Sequence, residues 1–166
     1  KLWSALEQLV LEKKLVIVNF GSAFALQPKS VFALITDLGL DFFSPKDADI
    51  IFNYFPKTSL TASDLGNSYF AKPILGREGE GGFAVKSGEI VLRSHSNDPW
   101  YTEQDYVYQE LLEFPQVEIA GKSMTAVWGA WLYNNGNNQF VSGGVGTRVS
   151  EGQITDNISY WCPIGC

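Results

Sequence analysis

Cysteine is almost missing from this 166-residue chain, which has only Cys162 and Cys166 near its end. One pair does not make a disulfide scaffold. The single histidine, His95, is distant in sequence, so the side chains that usually build zinc or redox centres are too few, and both thiols are expected to be structural or incidental. Positive charge is short as well: 12 Lys and Arg stand against 18 Asp and Glu, a net charge of −6, with a pI near 4.7. General nucleic-acid binding needs a basic face, which this balance argues against, although a local basic spot can still hold a phosphate. No apolar run reaches the roughly 18 residues of a membrane span, and no secretory leader precedes the first helical pattern. The expected setting is therefore soluble and cytoplasmic. Repeats, low-complexity tracts and Pro/Gly linkers are absent too, so residues 1–166 read as one domain.

What is present suits a packed core: 45% of residues are apolar and 14% aromatic. Leu2, Leu6, Leu9 and Val10 fall on one face of a first helix, about Leu2 to Lys14. Because the chain opens at Lys1, already inside such a pattern, the expectation is a fragment of a larger protein. Leu15 to Phe20 is a continuous apolar run rich in Val and Ile, the mark of a buried strand. Pro28 starts a second helix with Val31, Phe32, Leu34, Ile35 and Leu38 in period, and Gly39 stops it; Ser44-Pro45 opens a third that runs to Tyr54. Beyond Tyr69 the period becomes two. Phe83 to Lys86 and Glu89 to Arg93 flank a Ser87-Gly88 turn, and further strands span Tyr106 to Leu112, Met124 to Tyr133 and Gln139 to Val149, the last two joined by a turn at Asn134 to Asn138. The class is α+β: N-terminal helices and a short buried strand, followed by a mainly antiparallel sheet.

The most informative stretch is Lys72-Pro73-Ile74-Leu75-Gly76-Arg77-Glu78-Gly79-Glu80-Gly81, which leads from an apolar strand, Ser68 to Ile74, into a glycine loop. A strand-end ammonium suits phosphate oxygens, and glycines let backbone N–H groups approach an anion. The same residues also suit an ordinary hairpin with solvated charges. Neither standard phosphate motif is met: the spacing after Gly76 is not G-x-G-x-x-G, and Gly121-Lys122-Ser123 has Gln116 where a Walker loop needs glycine.

Taken in order, this loop, then Tyr108-Gln109-Glu110, Gly144-Val145-Gly146-Thr147-Arg148 and Ile154-Thr155-Asp156-Asn157 resemble the glutathionylspermidine synthase family, a branch of the ATP-grasp ligases, in its C-terminal portion. The resemblance spans roughly Leu2 to Pro163. It implies an ATP-grasp-like nucleotide-binding portion of a carboxylate-amine ligase. Such an enzyme phosphorylates an acid with ATP and lets an amine attack the acyl phosphate, a transfer that rests on positioning and charge stabilisation. The implied partners are nucleotide, small-molecule acid and amine substrates, and the rest of the same polypeptide; the implied cofactors are ATP and Mg²⁺. The family places its metal ligands in an upstream Arg-x-Asp and acidic-asparagine segment that this chain does not carry. Alone, the fragment is thus expected to bind nucleotide weakly and not to ligate.

Carried over singly, Lys29 and Lys72 match the two nucleotide lysines, and Gly76, Arg77 and Gly79 match the loop that closes over the phosphates, with Glu78 and Glu80 pointing outward. Gln109, Glu110 and Leu111 fall where ATP-grasp proteins run past the adenine. Arg148 matches the family arginine suited to the acyl-phosphate transition state, while Asp156 and Asn157 are second choices. After them the chain departs from the family pattern, with Ser159-Tyr160-Trp161-Cys162-Pro163-Ile164 where relatives carry a basic-aromatic pair and a histidine. A non-catalytic binding or assembly module is the alternative, with Trp100, Tyr101, Trp128, Trp131 and Trp161 on a partner face. Burial in the core is the expected fate of such large apolar rings.

Overall fold

The computed structural model describes residues 2–16, 21–95, 98–135, 137, 139–155 and 158–163. Three helices come first: α1 (Leu2–Leu11), α2 (Ser30–Phe42) and α3 (Pro45–Tyr54). The apolar run from Leu15 gives no regular structure at Leu15 and Val16, and Ile17 to Phe20 lie outside the described residues. Ser44 caps α3, its Oγ accepting from the Asp47 N–H at 3.2 Å and donating to the Asp47 carboxylate at 2.6 Å. Ser44→Ala is expected to cost about 1 kcal/mol, read as a fall in melting temperature of roughly 2–4 °C for a chain of this size. Gly39 breaks α2 where its position suggests a stop: its angles, φ 39° and ψ −129°, are non-helical, and a further helical stretch follows across the kink to Phe42.

The strands form two antiparallel sheets where one was expected. The first is ordered β1 (Thr58–Ser59), β5 (Tyr106–Glu110), β2 (Tyr69–Pro73), β3 (Phe83–Lys86), β4 (Glu89–Arg93), with the short helix α4 (Pro99–Thr102) between β4 and β5. Its core is made of small side chains: Ala71, Ala84, Val85 and Val107 are buried, and α2 and α3 bury Ala33, Ala48 and Ile51. The second is ordered β6 (Gln116–Ile119), β7 (Lys122–Asn134), β8 (Phe140–Ser150), β9 (Tyr160–Pro163). Met124, Ala126 and Val149 form its core, with Val117, Ile119 and Cys162 against them. Cys162 is a free thiol; Cys166 lies outside the described residues.

Glycines are used in two distinct ways. Ser87-Gly88 and Ala120-Gly121 have positive φ at both positions, the geometry of tight hairpin turns whose twist matches the strands. Lys122 begins β7 after the second turn and pairs with Glu151, so Gly121-Lys122-Ser123 belongs to a hairpin. Gly129 and Gly146, by contrast, are cross-strand partners that seat the Trp131 ring. A Cβ on Gly146 would stand 2.9 Å from that ring.

The tryptophans are not core residues. Trp100, Trp128, Trp131 and Trp161 are exposed and Tyr101 is half-buried, which corrects the expectation of burial. Trp131 and Trp161 instead meet on the outside of the second sheet, ring centres 5.6 Å apart. No residue of α1 is buried either, so its apolar face is uncovered among the described residues. Among the described residues, no helix is long and apolar enough to cross a membrane.

Candidate functional site

The loop after β2 is built of turns. Gly76 N–H donates to Pro73 O, Glu80 N–H to Arg77 O and Gly82 N–H to Gly79 O, at 2.9 to 3.1 Å. Its flanks are fastened: Ile74 N–H donates to Asp105 O, Leu75 N–H to the Gln104 side chain, and the Tyr106 hydroxyl to Gly81 O. On its far side it rests on the segment after β8. Gly79, at φ +75°, lies so close that a Cβ there would stand 2.3 Å from Ile154 Cγ2 and 2.8 Å from Thr155 O. The loop and the Ile-Thr stretch, two separate motifs in sequence, therefore meet in space and wall one cavity.

That cavity holds about 250 Å³, close to the lower bound of about 300 Å³ usual for small-molecule sites. Lys29, Lys72, Gly76, Arg77, Gly79, Gln109, Glu110 and Leu111 all line it, with Phe70, Gln153, Ile154 and Thr155 among the other wall residues. Lys29 arrives from the residue before α2, tied to the loop twice: its N–H donates to Ile74 O at 2.9 Å, and its ammonium donates to Gly76 O. Lys72 comes from β2, its ammonium donating to Gln109 Oε1 at 2.5 Å and lying 5.5 Å from the Phe70 ring centre.

Both ammoniums are out of balance. Burial lowers the pKa of Lys72, and the nearby charge of Lys29 lowers it further; burial alone lowers that of Lys29. Each is held by a neutral oxygen, and among the described residues no carboxylate pairs with either. Two cations converging without a counter-ion make a site for an anion, because an anion would offset both burial and mutual repulsion.

Several details depart from the sequence reading. Glu80 does not point outward: it lines the cavity wall, and its Oε2 is buried without a hydrogen-bond partner. Glu78 is exposed, at φ 55°. The Glu110 N–H is donated to Lys57 O at 2.8 Å, so it is engaged within the first sheet. Arg148 is not part of the cavity lining. It sits on β8 opposite Trp161 of β9, its guanidinium 5.3 Å from that ring centre. Asp156 and Asn157 lie outside the described residues. Phe70, Gln153 and Thr155 were not assigned a role from sequence. Only Thr155 carried a signal, as part of the Ile-Thr-Asp-Asn stretch.

The sequence profile described as glutathionylspermidine synthase preATP-grasp matches residues 13–165. The chain belongs to that family. Glutathionylspermidine synthase is a ligase, so this is a ligase-related domain, and its α+β build with two antiparallel sheets is compatible with the family's preATP-grasp description. No curated protein matches the chain.

Proposed function

We propose that this glutathionylspermidine synthase-family chain is the nucleotide-binding, ATP-grasp-like portion of an ATP-dependent carboxylate-amine ligase that forms an amide through an acyl phosphate in the cytoplasm. One observation carries the reading: all eight residues assigned to nucleotide, drawn from three separate stretches of chain, line a single cavity with two half-buried ammoniums that no carboxylate pairs with among the described residues. Lys29 and Lys72 would hold the phosphates, with Arg77 at the loop. The apolar Phe70 and Leu111 would flank the less polar part of the nucleotide. ATP supplies the phosphoryl group that activates the acid. The chain's own part is to place and neutralise phosphate oxygens, which is most of what phosphoryl transfer asks of a protein.

Mg²⁺ has no comparable ligand set here. Among the described residues no three His, Cys, Asp or Glu side chains group closely enough to hold a metal. Arg148, whose guanidinium is planar and permanently charged, is assigned to the transition state. It lies outside the cavity lining, so in this reading the substrate extends beyond the cavity to meet it.

Calorimetric titration with Mg-ADP tests the reading directly. Saturable binding that Lys29→Ala weakens by about tenfold or more supports it, since a charge-assisted hydrogen bond is worth about 1.5–3 kcal/mol; a folded protein that takes up no nucleotide rejects it. In the full-length protein, Arg148→Ala is expected to lower turnover about 10²–10³-fold, the usual effect of removing one transition-state donor. The exposed Trp100, Trp128, Trp131 and Trp161 favour a second reading, a non-catalytic assembly module. That reading expects partner binding to survive both substitutions.

A further inference from the structure

The hydrogen-bond chain that ends on Lys72 begins on β1, outside the cavity. We propose that Thr58 is a positioning residue: through the side-chain amide of Gln109 it fixes an oxygen acceptor opposite Lys72 and so aims that ammonium along the cavity wall. Its consequence for nucleotide binding rests on the function proposed above; the aiming itself does not.

The polarity of the chain follows from its two ends. A carbonyl only accepts, so the Thr58 hydroxyl must donate its proton to Pro56 O, at 2.9 Å. The Thr58 oxygen is then left as an acceptor and must face the amide nitrogen of Gln109, at 3.0 Å. That turns the Gln109 oxygen the other way, toward the only group that can do nothing but donate, the Lys72 ammonium, at 2.5 Å. Three adjacent strands carry the relay. Thr58 pairs with Gln109 across β1 and β5, and Gln109 with Phe70 across β5 and β2, two residues before Lys72. Thr58 is only 3% exposed, so water does not compete for its hydroxyl. Without it the amide nitrogen has no partner on β1, and the Gln109 side chain is free to rotate its oxygen away from Lys72.

Thr58→Val keeps the shape and removes both hydrogen-bonding functions. Thr58→Ser keeps the hydroxyl. The readout is the pH at which Lys72 becomes reactive toward acetic anhydride, followed by mass spectrometry of its peptide, with no nucleotide present. Lys29, Arg77, Glu78, Glu80 and Glu110 share the cavity and stay unchanged in every variant, so they set a common background. An acceptor oxygen favours the charged amine, and losing it should move the reactivity midpoint of Lys72 down by about one pH unit, tenfold in protonation. The serine variant should keep the wild-type midpoint.

A folded Thr58→Val protein with the wild-type midpoint overturns the proposal. Should that variant fail to fold, Thr58→Ala removes the same hydroxyl with a smaller side chain, with the same expected downward shift and the same overturning result. If the midpoint moves as expected but the wild-type protein takes up no Mg-ADP, Thr58 keeps its role and it is the nucleotide reading that falls.

Discussion

Lys72→Met is expected to lower Mg-ADP affinity about 10- to 100-fold while leaving the stability of the unliganded protein at pH 7 within about 1 kcal/mol. Two effects of opposite sign make the second half of that statement. Removing the ammonium relieves the cost of holding a cation partly out of water beside Lys29, and it strands the Gln109 oxygen, a loss of about 1 kcal/mol or more. A lysine kept for structural pairing would behave otherwise, because breaking a buried ion pair costs about 3–5 kcal/mol. The pH dependence separates the cases further. The folded-state pKa of Lys72 lies below its unfolded value, so between the two the unfolded chain binds more protons, and stability rises with pH in that alkaline window. Below the folded pKa the penalty is present in full; it is relieved as pH rises through it. Lys29 contributes in the same direction. Urea titrations from pH 7 to 10 should show stability rising in the wild type and rising less in Lys72→Met. Nucleotide affinity should fall over the same range, because the ammoniums that hold phosphate are being lost. Flat stability in both proteins would mean that neither lysine carries a burial cost, and the argument for an anion site would lose its basis.

Local chemistry was legible in the sequence, and long-range geometry only where family motifs pointed to it. The Ser87-Gly88 turn places both its strands, and Ser44-Pro45 starts α3 at its observed residue, because turn and cap signals act over a few residues. β6 and β9 escaped notice. Each is four residues long and is defined by pairing with β7 and β8, which no local pattern of Gln116 to Ile119 or Tyr160 to Pro163 announces. Gly39 was legible for the same local reason, since the helix from Ser30 breaks at its non-helical angles; what no local signal announced is the helical stretch that resumes beyond it to Phe42. The cavity itself follows the same division. Lys29, Lys72 and Gln109 were singled out from their motifs, but Thr58 offers nothing in sequence: its importance lies in a cross-strand neighbour 51 positions away. The tryptophans were misjudged because a large apolar ring is usually covered, and here Trp100, Trp128, Trp131 and Trp161 are exposed among the described residues.

Gly79→Ala is expected to be the most damaging small substitution in the cavity wall, and Gly121→Ala provides its measure. Both glycines have positive φ, +75° and +78°, so an added Cβ brings about 1–2 kcal/mol of backbone strain in either place. At Gly121 nothing lies within 4 Å of the new carbon, and strain is the whole cost. At Gly79 the carbon also meets Ile154 Cγ2 at 2.3 Å and Thr155 O at 2.8 Å. The isoleucine side chain can turn away, but the carbonyl is backbone and can retreat only if the segment after β8 moves with it. Overpacking of this kind adds roughly 1–3 kcal/mol, so the total loss should be about twice that of the control. The cheapest relief is for the loop to lift from the Ile-Thr stretch, which opens the cavity on the side of Arg77. Trypsin reports that motion, since Arg77 is exposed at the loop and its peptide bond becomes cleavable when the loop leaves its support. Faster cleavage after Arg77 in Gly79→Ala, together with weaker Mg-ADP binding and no such change in Gly121→Ala, is the expected result. Equal destabilisation of the two variants with unchanged cleavage would show that the loop does not depend on the Ile154–Thr155 contact, and that the two motifs close the cavity independently of one another.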